Sequence, residues 1–354
     1  MKRTLTFALL FNFLITCGVY SQDMDFSQWY NNPTYYNPAY VGVSTGLKAR
    51  FTYRRLMVKI PSSFRTYSFS VDIADRNLPG AGGIGMIVAN NSANQGLVNH
   101  TVVGIMPSVR IPIAENMVMQ LGIQAAFVQK RLNWDGLIFP DQLDPRYGNI
   151  YPTGFVSPNS DKITYPDFSA GMLFQFKGNN LSGVIGGALH HLTRPNESFY
   201  EGSAPLPRKY LAHIDLIWEF EQSKGYYKRN SSFKINPGFI YQSQAKLSQF
   251  AFGMNFYFTS VYMGLWYRNE SFDYDTYSTL SFMAGLRIPF SDVSRLKLMY
   301  SYDFVIYPEY TFTGPTHEIT LIIEFDDVML FQPRTIGTAR NVRSSGGVME
   351  CSPF

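Results

Sequence analysis

The segment Glu318-Ile319-Thr320-Leu321-Ile322-Ile323-Glu324-Phe325 alternates apolar and polar side chains with a period of two residues. Successive side chains of an extended strand point to opposite faces of a sheet. One face of this segment therefore carries four apolar side chains, and the other carries Glu318, Thr320 and Glu324. Segments 63–73 and 260–268 repeat the alternation. We interpret all three as β-strands with one apolar and one polar face.

The composition of the chain favours a membrane barrel over a helical membrane protein. The sequence contains 24 Tyr and 29 Phe residues, aromatic residues make up 16% of it, and its mean hydropathy is only -0.10. A membrane-spanning helix needs about 20 consecutive apolar residues, and no such run follows Phe13. An apolar outer band, aromatic residues near strand ends and a polar interior are typical of a transmembrane β-barrel.

The alternation recurs in fourteen segments, and single-chain bacterial barrels have an even number of strands. Each segment is close to the ~9–11 residues that a tilted strand needs to cross a bilayer. The sequence therefore predicts an all-β fold, a transmembrane antiparallel β-barrel of about 14 strands over residues 47–325. The predicted strands are 47–55, 63–73, 82–91, 98–111, 117–129, 167–177, 181–191, 210–220, 232–243, 247–257, 260–268, 279–290, 294–304 and 315–325.

The lengths of the connections predict the orientation of this barrel. If the N-terminus is periplasmic, the connections after even-numbered strands are periplasmic turns, and several of these are short, as at 178–180 and 291–293. The two longest connections, 130–166 and 192–209, follow odd-numbered strands. Short periplasmic turns and longer extracellular loops are typical of outer-membrane barrels. Segments 221–231 and 244–246 are exceptions to the trend.

The two ends of the chain are predicted to lie outside the barrel wall. Residues 1–21 have a positive start at Lys2 and Arg3, a short apolar stretch and small residues before Gln22, as in a secretory signal peptide. An alternative is a lipoprotein signal acylated at Cys17. Residues 22–46 are expected to form an extended, ordered segment that plugs the lumen or meets periplasmic partners. Residues 326–354 are expected to form a periplasmic tail, in which Cys351 is either a reactive or an inert thiol.

No set of residues predicts an enzyme or a cofactor site. The formal net charge of +4, with no run of like charges, gives no reason to expect a nucleic-acid partner. Segment Gly42-Val43-Ser44-Thr45-Gly46 matches the G-x-S-x-G pattern, but a strand follows it where a hydrolase has a helix. His190 and His191 are expected to point to opposite faces of one strand, so that they do not share a metal ion. Asp135, Asp141 and Asp144 lack the calcium-loop spacing. We expect no catalytic residue, no metal and no cofactor.

Arg54, Arg55 and Arg65 flank one tight outer connection that contains Pro61. They are candidates either for charges inside the lumen or for a partner surface, and the sequence does not distinguish the two.

Motifs along the chain resemble those of the PorP/SprF family of the type IX secretion system. Segment 22–42, which includes Asn31-Asn32-Pro33-Thr34-Tyr35-Tyr36-Asn37-Pro38, resembles the opening signature of that family. Trp134 with Phe139-Pro140-Asp141-Gln142-Leu143-Asp144-Pro145 resembles its long-loop motif. Similar motifs follow at Leu189-His190-His191-Leu192, Gly264-Leu265-Trp266-Tyr267-Arg268, Tyr300-Ser301-Tyr302-Asp303 and His317-Glu318-Ile319.

The resemblance implies an outer-membrane protein that is not an enzyme. Such a protein supports export or surface anchoring of a secreted adhesin, or of other cargo with a type IX C-terminal signal domain, and works with the secretion and gliding machinery. The polar inner face alone leaves open a diffusion channel for small solutes. The candidate partner-binding residues are Trp134, Phe139, Asp141, Asp144, Arg146, His191, Phe199, Arg208, Trp266 and Arg268.

Overall fold

The computed structural model of the chain describes residues 23–59, 63–74, 81–157, 160–200, 202–220, 233–270, 277–291, 293–307, 314–326 and 328. Within these ranges, fourteen antiparallel strands form a closed barrel. Consecutive barrel strands pair with each other, and the first pairs with the last to close the barrel. The barrel strands are β1 (Gly46–Leu56), β2 (Phe64–Ala74), β3 (Ala81–Ala93), β4 (Val98–Ala114), β5 (Met117–Leu132), β8 (Lys162–Lys177), β9 (Leu181–His190), β10 (Lys209–Phe220), β11 (Phe233–Gln244), β12 (Leu247–Phe258), β13 (Val261–Asn269), β14 (Ser278–Pro289), β15 (Ser294–Tyr307) and β16 (Thr316–Phe325).

The predicted antiparallel barrel of fourteen strands is confirmed. The largest difference in a strand end is at the start of β8. β8 begins at Lys162 instead of residue 167 and passes through Pro166, and β4 continues through Pro112 to Ala114. Proline has no N–H to donate to a ladder, and the predicted strands end beside these two residues. The structure keeps both prolines within the strands, and the ladder of β4 with β5 shifts its register next to Pro112.

The barrel has two unlike ends. We call the end with connections 57–63, 133–161 and 191–208 the loop end, and the opposite end, with the short connections 115–116, 178–180 and 259–260, the turn end. Within the longest loop, β6 (Leu143–Asp144) and β7 (Gly148–Asn149) form a two-residue antiparallel ladder.

The outward face of the wall is apolar and the inward face is polar. Along β1, inward residues such as Lys48, Arg50 and Thr52 are buried, whereas outward Phe51 is 44% exposed. Exposed apolar side chains at alternate positions are what a lipid-facing barrel requires. None of the helices in the described ranges is long and apolar enough to span a bilayer.

Residues 23–45 lie inside the barrel, and we call this segment the plug. It contains short helical turns at Trp29–Asn31, Pro33–Tyr36 and Pro38–Tyr40 and is therefore not extended along its length as the sequence suggested. Pro33 and Pro38 each start a turn, where proline is favoured because the N–H it lacks has no helical partner. The Asn37 side chain accepts a hydrogen bond from Ala39 N at 3.0 Å. These local interactions coil the segment enough to fill the lumen.

Two glycines in the wall make room for the plug. Gly122 on β5 is directly opposite Gly171 on β8. A Cβ atom on Gly122 would lie 2.4 Å from Ala39 N, and one on Gly171 would lie 1.9 Å from Asn37 Oδ1. The absence of side chains at this pair lets residues 37–39 lie directly on the wall.

The plug runs from the loop end to the turn end. Asp23 lies beside His191 and Lys209 at the loop end, and the segment reaches β1 at Gly46, where β1 pairs with the last residues of β16. Asp23 and Phe325 therefore lie at opposite ends of the barrel. The sequence led us to expect both chain ends on the periplasmic side, and the position of Asp23 differs from that expectation because the plug crosses the lumen. The predicted signal peptide, Cys17 and Cys351 lie outside the described residues.

Substitution of Gly122 by Ala tests the contact between plug and wall. The new methyl group would press on the backbone of residues 38–39, so we expect the barrel to lose about 1–3 kcal/mol of stability, the usual cost of overpacking. Gly104→Ala is the matched control, because its Cβ would meet no plug atom and its nearest neighbours are wall atoms of Gln124, Ala126 and Ala125, at 3.1, 3.2 and 3.4 Å. The measurement is the midpoint of thermal unfolding in detergent. Equal midpoints for the two variants would show that the plug does not press on this wall.

Candidate functional site

An aromatic cluster holds the plug at the centre of the lumen. Tyr30 stacks on Trp266 of β13 with ring centroids 5.6 Å apart, and Trp29 meets the same ring edge-on at 5.8 Å. Trp266 is 3% exposed. Phe26 and Tyr36 belong to the same buried cluster. Aromatic pairs in these geometries add to the stabilisation that burial alone gives. Plug and wall therefore share one hydrophobic core.

Buried polar side chains of the wall bind the backbone of the plug. The carboxylate of Glu318 on β16 accepts hydrogen bonds from Ser27 N at 2.6 Å and Gln28 N at 3.1 Å. Arg268 on β13 donates to Asp25 Oδ2 at 2.7 Å and to Phe26 O at 2.5 Å. Buried backbone N–H and C=O groups are costly without partners, and an irregular segment offers them few within itself. The inward charges thus satisfy the backbone of the plug.

His190 and His191 both face the lumen, which corrects the expectation that they point to opposite faces. β9 ends at His190, and His191 has a positive φ of 57°, so the chain turns between the two rings. The Nε2 atom of His190 is 2.9 Å from Tyr36 O. His191 lies between two carboxylates, with Nδ1 2.9 Å from Asp167 Oδ2 and Nε2 2.8 Å from Asp23 Oδ2. No group of His, Cys, Asp or Glu in the described part of the chain is arranged to hold a metal ion.

The charge of His191 fastens the start of the plug to the wall. Burial lowers the pKa of His191, but the Asp23 carboxylate and the hydrogen bonds to Asp167 and Asp23 outweigh burial and raise that pKa to about 10. Lys209 adds a second cation, with Nζ 3.7 Å from Asp23 Oδ2. Ion pairs therefore attach the start of the plug to the wall at the mouth of the barrel at neutral pH.

Among the described residues, two clefts at the mouth include both Asp23 and Lys209 in their lining. Their volumes are about 40 Å³ and about 50 Å³. A cavity needs roughly 10–15 Å³ to hold one water molecule, so each cleft accepts a few waters.

The long loops at the loop end form a second ordered region around Trp134. The Trp134 ring is 5.7 Å from Phe155, 5.9 Å from Phe199 and 5.9 Å from Tyr200. Phe139 stacks on Phe155 at 4.3 Å. The cluster joins the loop after β5 to the loop after β9, so the two loops support each other.

Two aspartates fix the backbone of the longer loop. Asp141 Oδ2 accepts from Gly154 N at 2.7 Å, and Asp144 Oδ1 accepts from Arg146 N at 2.7 Å. These backbone hydrogen bonds hold the pKa of both carboxyl groups below the ordinary value. Arg146 packs over the neighbouring Tyr147 ring, with Cζ 5.5 Å from the ring centroid.

Apolar side chains of the same loop project into solvent. Val156 is 85% exposed and Tyr147 is 67% exposed. We call the exposed apolar set the loop platform, and it consists of Ile138, Leu143, Tyr147, Ile150, Tyr151 and Val156. Exposed apolar groups on a braced loop are typical of an interaction surface.

The structure divides the ten predicted partner-binding residues between two regions. His191, Trp266 and Arg268 are at most 9% exposed and contact the plug. Arg208 is exposed on the shorter loop, and its Nη2 donates to Leu192 O at 3.3 Å. The other six belong to the aromatic cluster or the longer loop and are Trp134, Phe139, Asp141, Asp144, Arg146 and Phe199.

Sequence reasoning missed the residues that bind the plug from the wall and the first residues of the plug itself. Asp23, Asp25 and Glu318 are examples. The available signal was a polar side chain on the inward face of a strand, together with an acidic start to an Asn- and Pro-rich segment. Ser44 is buried at the base of the plug and precedes β1.

A closed antiparallel barrel with an apolar outer face and its own N-terminal segment in the lumen defines a class, the plugged outer-membrane β-barrels. Within that class, residues 18–323 match the family model of the type IX secretion system membrane protein PorP/SprF, and the chain belongs to this family. The protein is therefore an outer-membrane component of type IX secretion.

Solved barrels with low sequence identity are similar to the chain. A FadL homologue from Pseudomonas aeruginosa is 12% identical, with a TM-score of 0.41 over 82% of this chain and 92% of its own. A deletion mutant of TodX, a monoaromatic hydrocarbon channel, is 10% identical, with a TM-score of 0.43 over 87% and 96%. BamA from Haemophilus ducreyi lacking POTRA domains 1-3 is 10% identical, with a TM-score of 0.40 over 79% and 70%. No match was found among curated proteins.

The ion pairs at His191 predict a loss of stability at alkaline pH. A pKa raised from its ordinary value of about 6.5 to about 10 gives stabilisation that is complete below the ordinary value and is lost as the pH rises through about 10. We expect the unfolding midpoint of the wild-type protein to fall across that window. His191→Gln should have a lower midpoint at neutral pH and a shallower decline between about pH 6.5 and pH 10. Parallel pH profiles for the two proteins would contradict the role of the charged imidazole.

Proposed function

We propose that this protein binds a secreted adhesin-type protein through the C-terminal domain of that cargo and supports its export or anchoring at the cell surface. The loop end faces the exterior in this proposal, and the loop platform receives the cargo. Membership of the PorP/SprF family supports a role in type IX secretion, and the shape of the barrel supports a binding role over a conducting one.

The observation that carries the proposal is the filled lumen. Trp29, Tyr30 and Tyr36 are buried against the wall, and carboxylates and arginines of the wall bind the backbone around them. Each cleft left at the mouth has room for a few waters. A barrel occupied in this way works through its surfaces.

The loops offer the surface that such a role requires. A preorganised loop loses little conformational entropy when a partner binds. Aspartate hydrogen bonds and the Trp134 cluster supply this order, and Tyr147 and Tyr151 supply large contact areas with few rotatable bonds. The cations of Arg146 and Arg208, both exposed, give the surface a means of selecting a partner by charge.

On the periplasmic side, the protein contacts components of the secretion and gliding machinery in this proposal. The turns and the tail 326–354 are the parts of the chain available to it in this orientation. The tail is a proposed contact for ring components, and most of it lies outside the described residues.

Planar-bilayer recording tests the binding role against the alternative of a small-solute channel. We expect the intact protein to give no steady open current at neutral pH, because the plug is packed and hydrogen-bonded along the lumen. Recovery of the folded barrel from the bilayer by its heat-dependent gel mobility is the control for incorporation. A steady, reproducible conductance would favour the diffusion channel.

Co-purification from secreting cells tests the loop platform. Substitution of Ile138, Tyr147 and Val156 together by Ser removes three exposed apolar contacts and should lower recovery of a cargo protein with a type IX C-terminal domain at least about tenfold, or about 1.4 kcal/mol of binding. The matched control substitutes Asn149 and Ser157, which are exposed polar residues of the same loop, by Ser and Ala. Unchanged recovery with the triple variant, in a folded barrel, would place the cargo site elsewhere.

A further inference from the structure

Charged side chains on the outward face of the described barrel strands are confined to the loop end. Outward positions alternate with the buried, lumen-facing ones. Across the fourteen strands, the outward positions carry four cations and no carboxylate in the described ranges. The cations are Arg55, Arg65, Arg131 and Lys162.

The four cations form two facing pairs with different surroundings. Arg131 lies opposite Lys162, and Arg131 Nε pairs with Asp161 Oδ2 at 2.9 Å. Arg55 lies opposite Arg65 on one side and His317 on the other. Like charges directly opposite each other in a sheet are destabilising. In the described ranges neither Arg55 nor Arg65 has a carboxylate partner, and the buried Nε of Arg55 has no hydrogen-bond acceptor.

Arg55, Arg65 and His317 lie opposite one another on three adjacent strands, and we call them the basic row. The depth of the basic row in the membrane follows from the residue pairs nearer the middle of the barrel. One row closer to the middle of the barrel, Tyr53 lies opposite Tyr67, with ring centroids 5.0 Å apart. The next row pairs Phe51 with Phe69. Tyrosines mark the interface between lipid tails and headgroups, and phenylalanines lie in the tails.

The hydroxyl of Tyr300 extends the basic row along the wall. It is 2.7 Å from Nδ1 of His317. With Tyr300 on Nδ1, the Nε2 atom of His317 is the ring nitrogen available to a ligand, and Arg55 and then Arg65 follow in the same row on the next two strands.

We propose that the basic row binds the phosphate group of a membrane lipid in the leaflet at the loop end. A guanidinium presents a planar pair of N–H donors that matches two phosphate oxygens. One phosphate between Arg55 and Arg65 converts a repulsive pair into two charge-assisted contacts. The acyl chains of the same molecule then lie on the apolar band that includes Phe51 and Phe69. Free phosphate shares the headgroup chemistry but gains nothing from that band.

Native mass spectrometry of the purified protein in detergent, with phosphatidic acid as the probe, tests this site. We expect the wild-type barrel to retain one phosphatidic acid under conditions that remove phosphatidylcholine. Arg55→Gln with Arg65→Gln should lower that occupancy about tenfold. Arg131→Gln with Lys162→Gln is the matched control and should retain the wild-type occupancy, because Asp161 already compensates that pair. Equal loss in both double variants, or no loss in the first, would overturn the proposal.

Two further measurements separate the source of the phosphate and the state of the protein. Inorganic phosphate at the same concentration should neither bind nor displace the lipid, and displacement by it would indicate a free-anion site instead. Heat-dependent gel mobility checks folding, and the single variants replace the double variant if that one does not fold.

Glu309→Gln, in a connection outside the described residues, should leave lipid occupancy unchanged. Lower occupancy in Glu309→Gln would contradict a site built from the basic row alone.

Discussion

The structure depends on satisfying the backbone of an irregular segment at the depth of the membrane. A barrel wall pairs its own N–H and C=O groups from strand to strand, whereas the plug has short turns with few internal hydrogen bonds. Such backbone is tolerated inside a membrane protein only where it is buried in protein or lines water. The wall therefore supplies partners. Glu318 accepts from a backbone N–H of the first plug residues, and Arg268 donates to a backbone C=O. The polar inner faces of the strands are in this sense part of the core.

The same constraint explains why charged and aromatic residues occur together on the inner face. A wall of charges alone would leave gaps around a plug that contains Trp29 and Tyr30, and a wall of apolar residues alone would leave its amides unpaired. Trp266 and Arg268, two residues apart on β13, face the lumen side by side and serve the two needs. The plug also has to approach the wall closely, and Gly122 and Gly171 allow this because they have no side chains.

The alternation of side chains predicts the wall well because each strand has one face toward lipid and one toward the lumen. The predicted bounds of two strands are too short, at Pro112 and at Pro166, where pairing with neighbours keeps the proline in the strand. The alternation also cannot distinguish a lumen filled with water from one filled with protein, since both select polar inward residues. For that reason the sequence identifies Trp266, Arg268 and His191 as candidate binding residues but does not predict that they contact the plug. His191 additionally depends on one positive φ, which reverses the side that strand periodicity assigns to it.

The two ends of the barrel differ in ways that share one explanation. The loop end has the two long loops, the start of the plug and all the outward cations of the described strands, whereas the turn end has short connections. In the proposed binding role, the barrel acts by what it presents on either side of the membrane. Exposed apolar side chains on a braced loop suit contact with a large partner, and cations just above a row of tyrosines suit contact with headgroups. Because the loop platform and the basic row lie at the same end, the barrel presents both on the side of the membrane that the long loops face.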